Sequence, residues 1–177
     1  MYKTFQIGFL GLILIPVLVV AHGPSRQKIV KEIEINAPVE KVWNIISDYC
    51  AIREWNPAVT KCVADKGSEN DSVRTLTLEN GATIKEKLVK HLPDNTKYQY
   101  MLIEPNDKAF PINTHGSTIS VISGDGGTTV VEWKGAFYRS FPGPNPPPEK
   151  TDEAATKALA EFYMTGLENL KKMAEGN

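Results

Sequence analysis

The chain has 177 residues, with 20 Lys and Arg against 21 Asp and Glu, 41% hydrophobic residues and 2 cysteines. The near-neutral balance excludes the basic surplus of a nucleic-acid binder, the apolar content excludes a disordered chain, and the cysteines are too few for a disulfide-dense miniprotein. What remains is one globular domain of ordinary size.

Met1 to Ala21 holds a single charged side chain, Lys3, ahead of an apolar run from Ile7 to Val20 broken by Pro16. A basic start, a short apolar stretch and compact residues at Val19 and Ala21 are the parts of a cleavable secretory signal. A spanning helix needs about 20 apolar residues, so the run is short for an anchor, and no stable membrane insertion is expected after cleavage. Residues 1–21 are therefore read as a signal and 22–177 as the mature domain. Export puts Cys50 and Cys62 in an oxidising compartment, where they either form a structural bridge or stay as buried thiols. A new N-terminal His22 offers an α-amine and an imidazole, a pair that can chelate copper. The sequence nominates no further ligands for it, so His22 is read as a plain chain end and no metal site is expected.

Lys28 to Asn36 alternates, with Ile29, Ile33 and Ile35 on one face and Glu32 and Glu34 on the other, which predicts a half-buried strand. Pro38 suits the first turn of a helix that carries Val42, Ile45, Ile46 and Tyr49 at helical spacing. A short helical turn over Ala51–Trp55 stops at Asn56-Pro57. The period then becomes two, predicting strands over Ala58–Asp65, Ser72–Leu78, Ala82–Leu92, Thr96–Glu104, Asn113–Ser123 and Thr128–Arg139. Turn residues such as Asn80-Gly81 and Gly124–Gly127 link most of these as hairpins, giving an antiparallel meander. The segment from Phe141 to Pro148 is rich in proline and reads as a stiff extended loop. Thr151, Asp152 and Glu153 then open a last helix whose stripe is Ala155, Leu159, Phe162, Gly166, Leu170 and Met173. The class is α+β, a curved antiparallel sheet of seven strands wrapped round a long C-terminal helix, with two short helices between the first strands. A sheet curled round a single helix tends to leave a cavity between them.

This order, together with Ile35-Asn-Ala-Pro38, Val42-Trp43, Trp55-Asn-Pro57, Arg74, Gly81, Glu86-Lys-Leu88 and the long terminal helix, resembles the START-like superfamily with its helix-grip fold, which includes polyketide cyclases. Three further stretches, His22–Lys28, Val131–Arg139 and Pro146–Glu149 with Asp152–Ala155, look like the MxaD-type periplasmic proteins associated with bacterial methanol oxidation. That resemblance implies a periplasmic accessory protein beside a quinoprotein methanol dehydrogenase and its cytochrome c acceptor, with no cofactor of its own.

Strand alternation that buries Leu76 and Leu78 also turns Arg74 inward, and the set Ile84 and Leu88 carries Glu86 with it. The two are read as a polar anchor for a ligand's hydroxyl or carboxylate, as a structural ion pair, since pairing offsets the penalty of burying either alone, or as two solvated side chains. His115 shares its face with Ser117, but no partner for acid–base chemistry is marked out, so no catalytic residue is assigned. Tyr98, Tyr100, Trp133 and Phe137, with Phe162 opposite on the helix, are read as the remaining lining of a ligand cavity, and Trp55 as its entrance or a plug. Tyr138, Arg139, Phe141, Pro146, Pro147 and Pro148 form the candidate partner surface, because stiff aromatic and proline segments lose little entropy on docking. The leading reading is an accessory protein, with or without a small hydrophobic ligand, against a cyclase/dehydrase-like enzyme or a lipid carrier.

Overall fold

The computed structural model describes residues 23–176. The secretory signal read over 1–21, and His22, lie outside them. Seven strands form one antiparallel sheet: β1 (Gln27–Ile35), β2 (Val59–Ala64), β3 (Val73–Leu78), β4 (Thr83–Leu92), β5 (Lys97–Glu104), β6 (Ile112–Ser123) and β7 (Thr129–Arg139). Their order across the sheet is β1-β7-β6-β5-β4-β3-β2. The chain therefore runs as a meander from β2 to β7, and the first strand returns to pair with the last. Two short helices, α1 (Val39–Ile46) and α2 (Ile52–Trp55), sit between β1 and β2, and α3 (Asp152–Glu175) lies on the concave face. This is the helix-grip architecture.

Local chemistry explains α3. The Thr151 side chain accepts from Ala154 N at 3.1 Å, Asp152 and Glu153 occupy the positive first turn, and Gly176 ends the helix in the left-handed region at φ 76°. Its buried positions include Leu159, Phe162, Tyr163, Gly166, Leu167, Leu170 and Ala174. The stripe is thus wider than the sequence pattern indicated, because a sheet that curls round a helix buries two adjacent rows of it. Met173 is 40% exposed; the buried place at that end belongs to Ala174. Gly166 is where α3 touches the α2 corner: a Cβ there would lie 2.8 Å from both Trp55 Cζ3 and Asn56 Nδ2. Buried Asn56 donates to Phe162 O at 3.2 Å, and Asn169 donates to Trp55 O at 3.2 Å, so the corner is hydrogen-bonded to the helix as well as packed on it. At the other end, Lys171 Nζ donates to Glu34 O at 2.6 Å and Asn36 N to Glu175 Oε1 at 2.8 Å, which covers the end of the β1 edge.

The proline-rich segment is held by one side chain. Arg139 donates to Phe141 O at 3.1 Å, to Gly143 O at 2.7 Å and to Asp152 Oδ2 at 3.0 Å, and Ser25 Oγ donates to the same carboxylate at 3.2 Å. Arg139 is only 6% exposed, so it belongs to the underside of the loop and not to a partner surface. Among the described residues no helix is long and apolar enough to cross a membrane.

A disulfide joins Cys50, just before α2, to Cys62 on β2, with a Cα–Cα distance of 5.4 Å. It closes a loop whose ends are 12 residues apart, and a loop of that size stabilises by about 3 kcal/mol through the unfolded chain. Replacing both cysteines with alanine should lower the melting temperature by roughly 6–12 °C, read by circular dichroism.

Candidate functional site

Arg74 on β3 and Glu86 on β4 are cross-strand neighbours in the sheet register, facing the same side. Arg74 Nε donates to Glu86 Oε2 at 2.8 Å, and Nη2 lies 2.7 Å from the same oxygen. Nη1 donates to the carbonyl of Tyr49, the residue next to the disulfide. The guanidinium carbon lies 3.9 Å from the Tyr49 ring centroid and 5.0 Å from that of Tyr100, so aromatic faces supply the rest of its surroundings. Arg74 is 0% and Glu86 3% exposed. Burial works against the Arg74 charge, but the Glu86 carboxylate and the nearby tyrosines outweigh it and hold the guanidinium firmly protonated.

A second polar group runs between β6, β7 and α3. Ser117 Oγ donates to Lys134 O at 2.9 Å, which uses its single proton. The Tyr163 hydroxyl, 2.8 Å from Ser117 Oγ, must then be the donor of that pair. The contact of 2.8 Å between His115 Nε2 and the same hydroxyl follows as His115 N–H donating. Trp133 Nε1 is 3.0 Å from both Ser117 Oγ and Tyr100 Oη and donates toward them. Burial pushes the His115 imidazole down to about 4, so it is neutral at ordinary pH. Burial likewise raises the Tyr100 and Tyr163 hydroxyls well above their usual range. Gly135 on β7 makes the arrangement possible, because a Cβ there would lie 2.6 Å from Tyr163 Oη and 2.8 Å from His115 Nε2.

Aromatic rings fill the remaining volume. Trp133 stacks on Tyr163 with centroids 4.1 Å apart, and Trp55 and Phe162 meet it edge-on at 5.3 and 5.6 Å. Phe137 is buried on the same inward face. The side chains read as a cavity lining therefore come together as expected but pack on one another. Trp55, read as an entrance or a plug, is 1% exposed and packs against Gly166 and Trp133. An open cleft of about 300 Å³ lies beside Phe162, where Phe110, Ala109, Ala158, Ala58 and Leu78 supply its apolar wall and Glu79, Asn80, Glu161 and Thr165 its polar one. Phe110 meets Phe162 edge-on at 5.1 Å and forms the cleft floor with it.

On the outer surface, Tyr138 is 38% exposed, Phe141, Pro146 and Pro147 are half-buried, and Pro148 is exposed. Sequence reasoning missed three contributors. Tyr163 lies four residues from both Leu159 and Leu167, and a wider helical stripe would have included it. Tyr49 was read only as part of the α1 stripe, although its carbonyl anchors Arg74. Phe110 sits in the irregular connection before β6, where no periodicity marks an inward residue. Among the described residues, no three His, Cys, Asp or Glu side chains gather as a metal site.

Residues 26–175 match the family described as polyketide cyclase / dehydrase and lipid transport. No curated protein is matched by the sequence. Among solved structures, an uncharacterised protein from Bacillus thuringiensis is 26% identical with a TM-score of 0.72, covering 85% of this chain and 100% of its own. The protein XoxI from Bacillus cereus is 28% identical with a TM-score of 0.71, covering 83% and 94%. Norcoclaurine synthase from Thalictrum flavum, solved with dopamine and hydroxybenzaldehyde, shares the fold at 14% identity with a TM-score of 0.65, covering 93% and 96%.

The two polar groups respond differently to perturbation. Arg74→Met strands the Glu86 carboxylate in the interior and should cost about 3–5 kcal/mol in chemical denaturation, while the double variant Arg74→Met with Glu86→Leu recovers most of it. For His115, the folded value of about 4 lies below the ordinary 6.5, so the unfolded chain takes up the proton first as pH falls. Its contribution is complete above pH 6.5 and drains away as pH drops toward 4, reaching about 3 kcal/mol. Stability measured from pH 7 to pH 4 should fall more steeply in the native protein than in His115→Gln by that amount.

Proposed function

The chain belongs to the polyketide cyclase / dehydrase and lipid transport family, and we propose that it works as a binding and accessory protein and not as an enzyme. One observation carries this reading. The two inward groups that could exchange protons in a reaction are both committed: Glu86 to Arg74, and His115, held neutral, to Tyr163. What the fold offers in their place is a cleft whose apolar wall at Phe110 and Phe162 suits the body of a small hydrophobic ligand and whose Glu79, Asn80, Glu161 and Thr165 form a polar side.

The setting we propose is the periplasm, beside a quinoprotein methanol dehydrogenase and its cytochrome c acceptor. Support for it comes from the MxaD-type resemblance of His22–Lys28, Val131–Arg139 and Pro146–Glu149. The Cys50–Cys62 bridge supports export, because such bonds persist in oxidising compartments. The docking surface would be Tyr138, Phe141 and Pro146–Pro148, a ridge that Arg139 holds from beneath and that loses little entropy on binding.

Adding the purified protein to methanol dehydrogenase and cytochrome c should raise methanol-dependent cytochrome reduction at least twofold. Deleting 144–148 should remove the gain while circular dichroism stays native. An unchanged rate with the intact protein sinks the methanol-oxidation role. Binding of a fluorescent naphthalene sulfonate probe, weakened about tenfold or more by Ala158→Trp, tests the cleft independently.

A further inference from the structure

The outer face of the sheet, turned away from α3, carries both charge signs in an ordered pattern. Across β1, β7 and β6 the register sets Lys28, Ala136 and Gly116 in one outward row and Val30, Lys134 and Thr118 in the next. Glu32, Glu132 and Ser120 make the third row, and Glu34, Val130 and Ile122 the fourth. The first two rows border a hollow of about 280 Å³, floored by Gly116 and Ala136 and rimmed by Lys28, Val30 and Lys134. The fourth row stands proud instead, with Ile122 49% exposed. On these three strands the basic side chains therefore lie at the hollow and the acidic ones at the opposite end.

Gly116 has no cause within its own chain. Its backbone is outside the left-handed region, no register shift falls on it, and a Cβ built there meets nothing within 4 Å among the described residues. Glycine weakens a strand interior, and where no bulge or bend needs it, it marks the close approach of something else. A second copy of the chain fits the pattern. A two-fold axis lying between two such faces, across the strands and between the second and third rows, turns the first row onto the fourth and the second onto the third. Ile122 and Val130 of one copy then enter the hollow over Gly116 and Ala136 of the other, Lys28 faces Glu34, and Lys134 faces Glu132. Both carboxylates are already fixed in place: Glu132 pairs with Lys134 of its own chain at 2.7 Å, and Thr128 Oγ1 donates to Glu34 Oε1 at 2.8 Å. A partner of one charge sign would leave half of the face unmatched.

We infer that the outer face of β1, β7 and β6 is a contact between two copies of this chain, packed sheet to sheet about a two-fold axis that passes between Thr118 and Ser120. It goes beyond the function proposed above and depends on neither the cleft nor the proline ridge. The patch is smaller than a standard interface of about 20–30 residues a side, so the dimer is weak and concentration-dependent.

Sedimentation equilibrium on the purified protein should show monomer and dimer exchanging with concentration, the dimer weakening as salt screens its charge pairs. Lys28→Glu sets like charges opposite each other and should weaken association about tenfold or more, whereas Lys28→Glu with Glu34→Lys should return it to within about threefold of the native protein. Gly116→Val fills the hollow and should weaken association likewise, yet leave the melting temperature unchanged or higher, because valine suits a strand and meets open space there. A native protein that stays monomeric up to about 1 mM overturns the proposal, as does a charge-swapped double variant that associates no better than Lys28→Glu. So does a dimer that survives both Lys28→Glu and Gly116→Val, since its contact then lies elsewhere. In ¹⁵N–¹H spectra the Gly116 and Ile122 amides should shift on dilution. If they shift instead only with poly-glutamate or with phosphatidylglycerol vesicles, the face belongs to an acidic polypeptide or a membrane and the proposal is overturned.

Discussion

A guanidinium removed from water must be given another charge and something polarisable to face, and Arg74 receives both. Glu86 across the strand pair supplies the charge, the Tyr49 carbonyl a hydrogen bond, and the Tyr49 and Tyr100 rings the flanking surfaces. These contacts draw β3, β4, β5 and the corner after α1 onto one point. The disulfide fixes the same corner covalently one residue further on, at Cys50. An ion pair of this kind adds little net stability compared with an apolar core of equal volume, but it penalises any register or corner geometry that separates its members. The concave face can therefore be assembled in few ways, and the positions of the inner tyrosines follow from it.

On the function proposed above, that arrangement holds a molecule rather than transforming one. Catalysis by proton transfer needs a group whose affinity lies near the working pH and whose lone pair or proton is free to move. Here the histidine is held neutral within a directed chain from its own N–H through Tyr163 and Ser117 to the Lys134 carbonyl. Each member of that chain has a fixed donor or acceptor role, and Gly135 leaves no room for it to be rearranged by a side chain. Such rigidity provides a preorganised surface for recognition.

Much of this was legible in the residues themselves. Period-two alternation puts Arg74 on one face with Leu76 and Leu78, and Glu86 with Ile84 and Leu88, and the family resemblance at these positions added the pairing. The strands and the last helix were readable within a residue or two because their ends carry proline, glycine and capping residues. What local pattern cannot reveal is closeness between distant parts of the chain. The contact of His115 with Tyr163 spans 48 residues, and that of Asn56 with Phe162 spans 106. Nor does alternation tell whether an inward aromatic lines a hollow or fills it, since that depends on how closely α3 approaches. Gly166 is one place where that approach is close, since a Cβ there would meet Trp55 and Asn56. Arg139 looked like surface in a sequence of aromatics and prolines; its three carbonyl and carboxylate partners lie on segments no periodicity connects.

The link from Ser25 to Asp152 places the first described residues at the start of α3, beside the proline ridge, while Gly176 emerges at the far end. A helix of 24 residues separates the two by about 36 Å. An affinity tag or surface-immobilisation handle fused ahead of residue 23 would thus crowd the ridge, whereas one carried at the other terminus leaves it clear. Assays that tether this protein should be oriented accordingly.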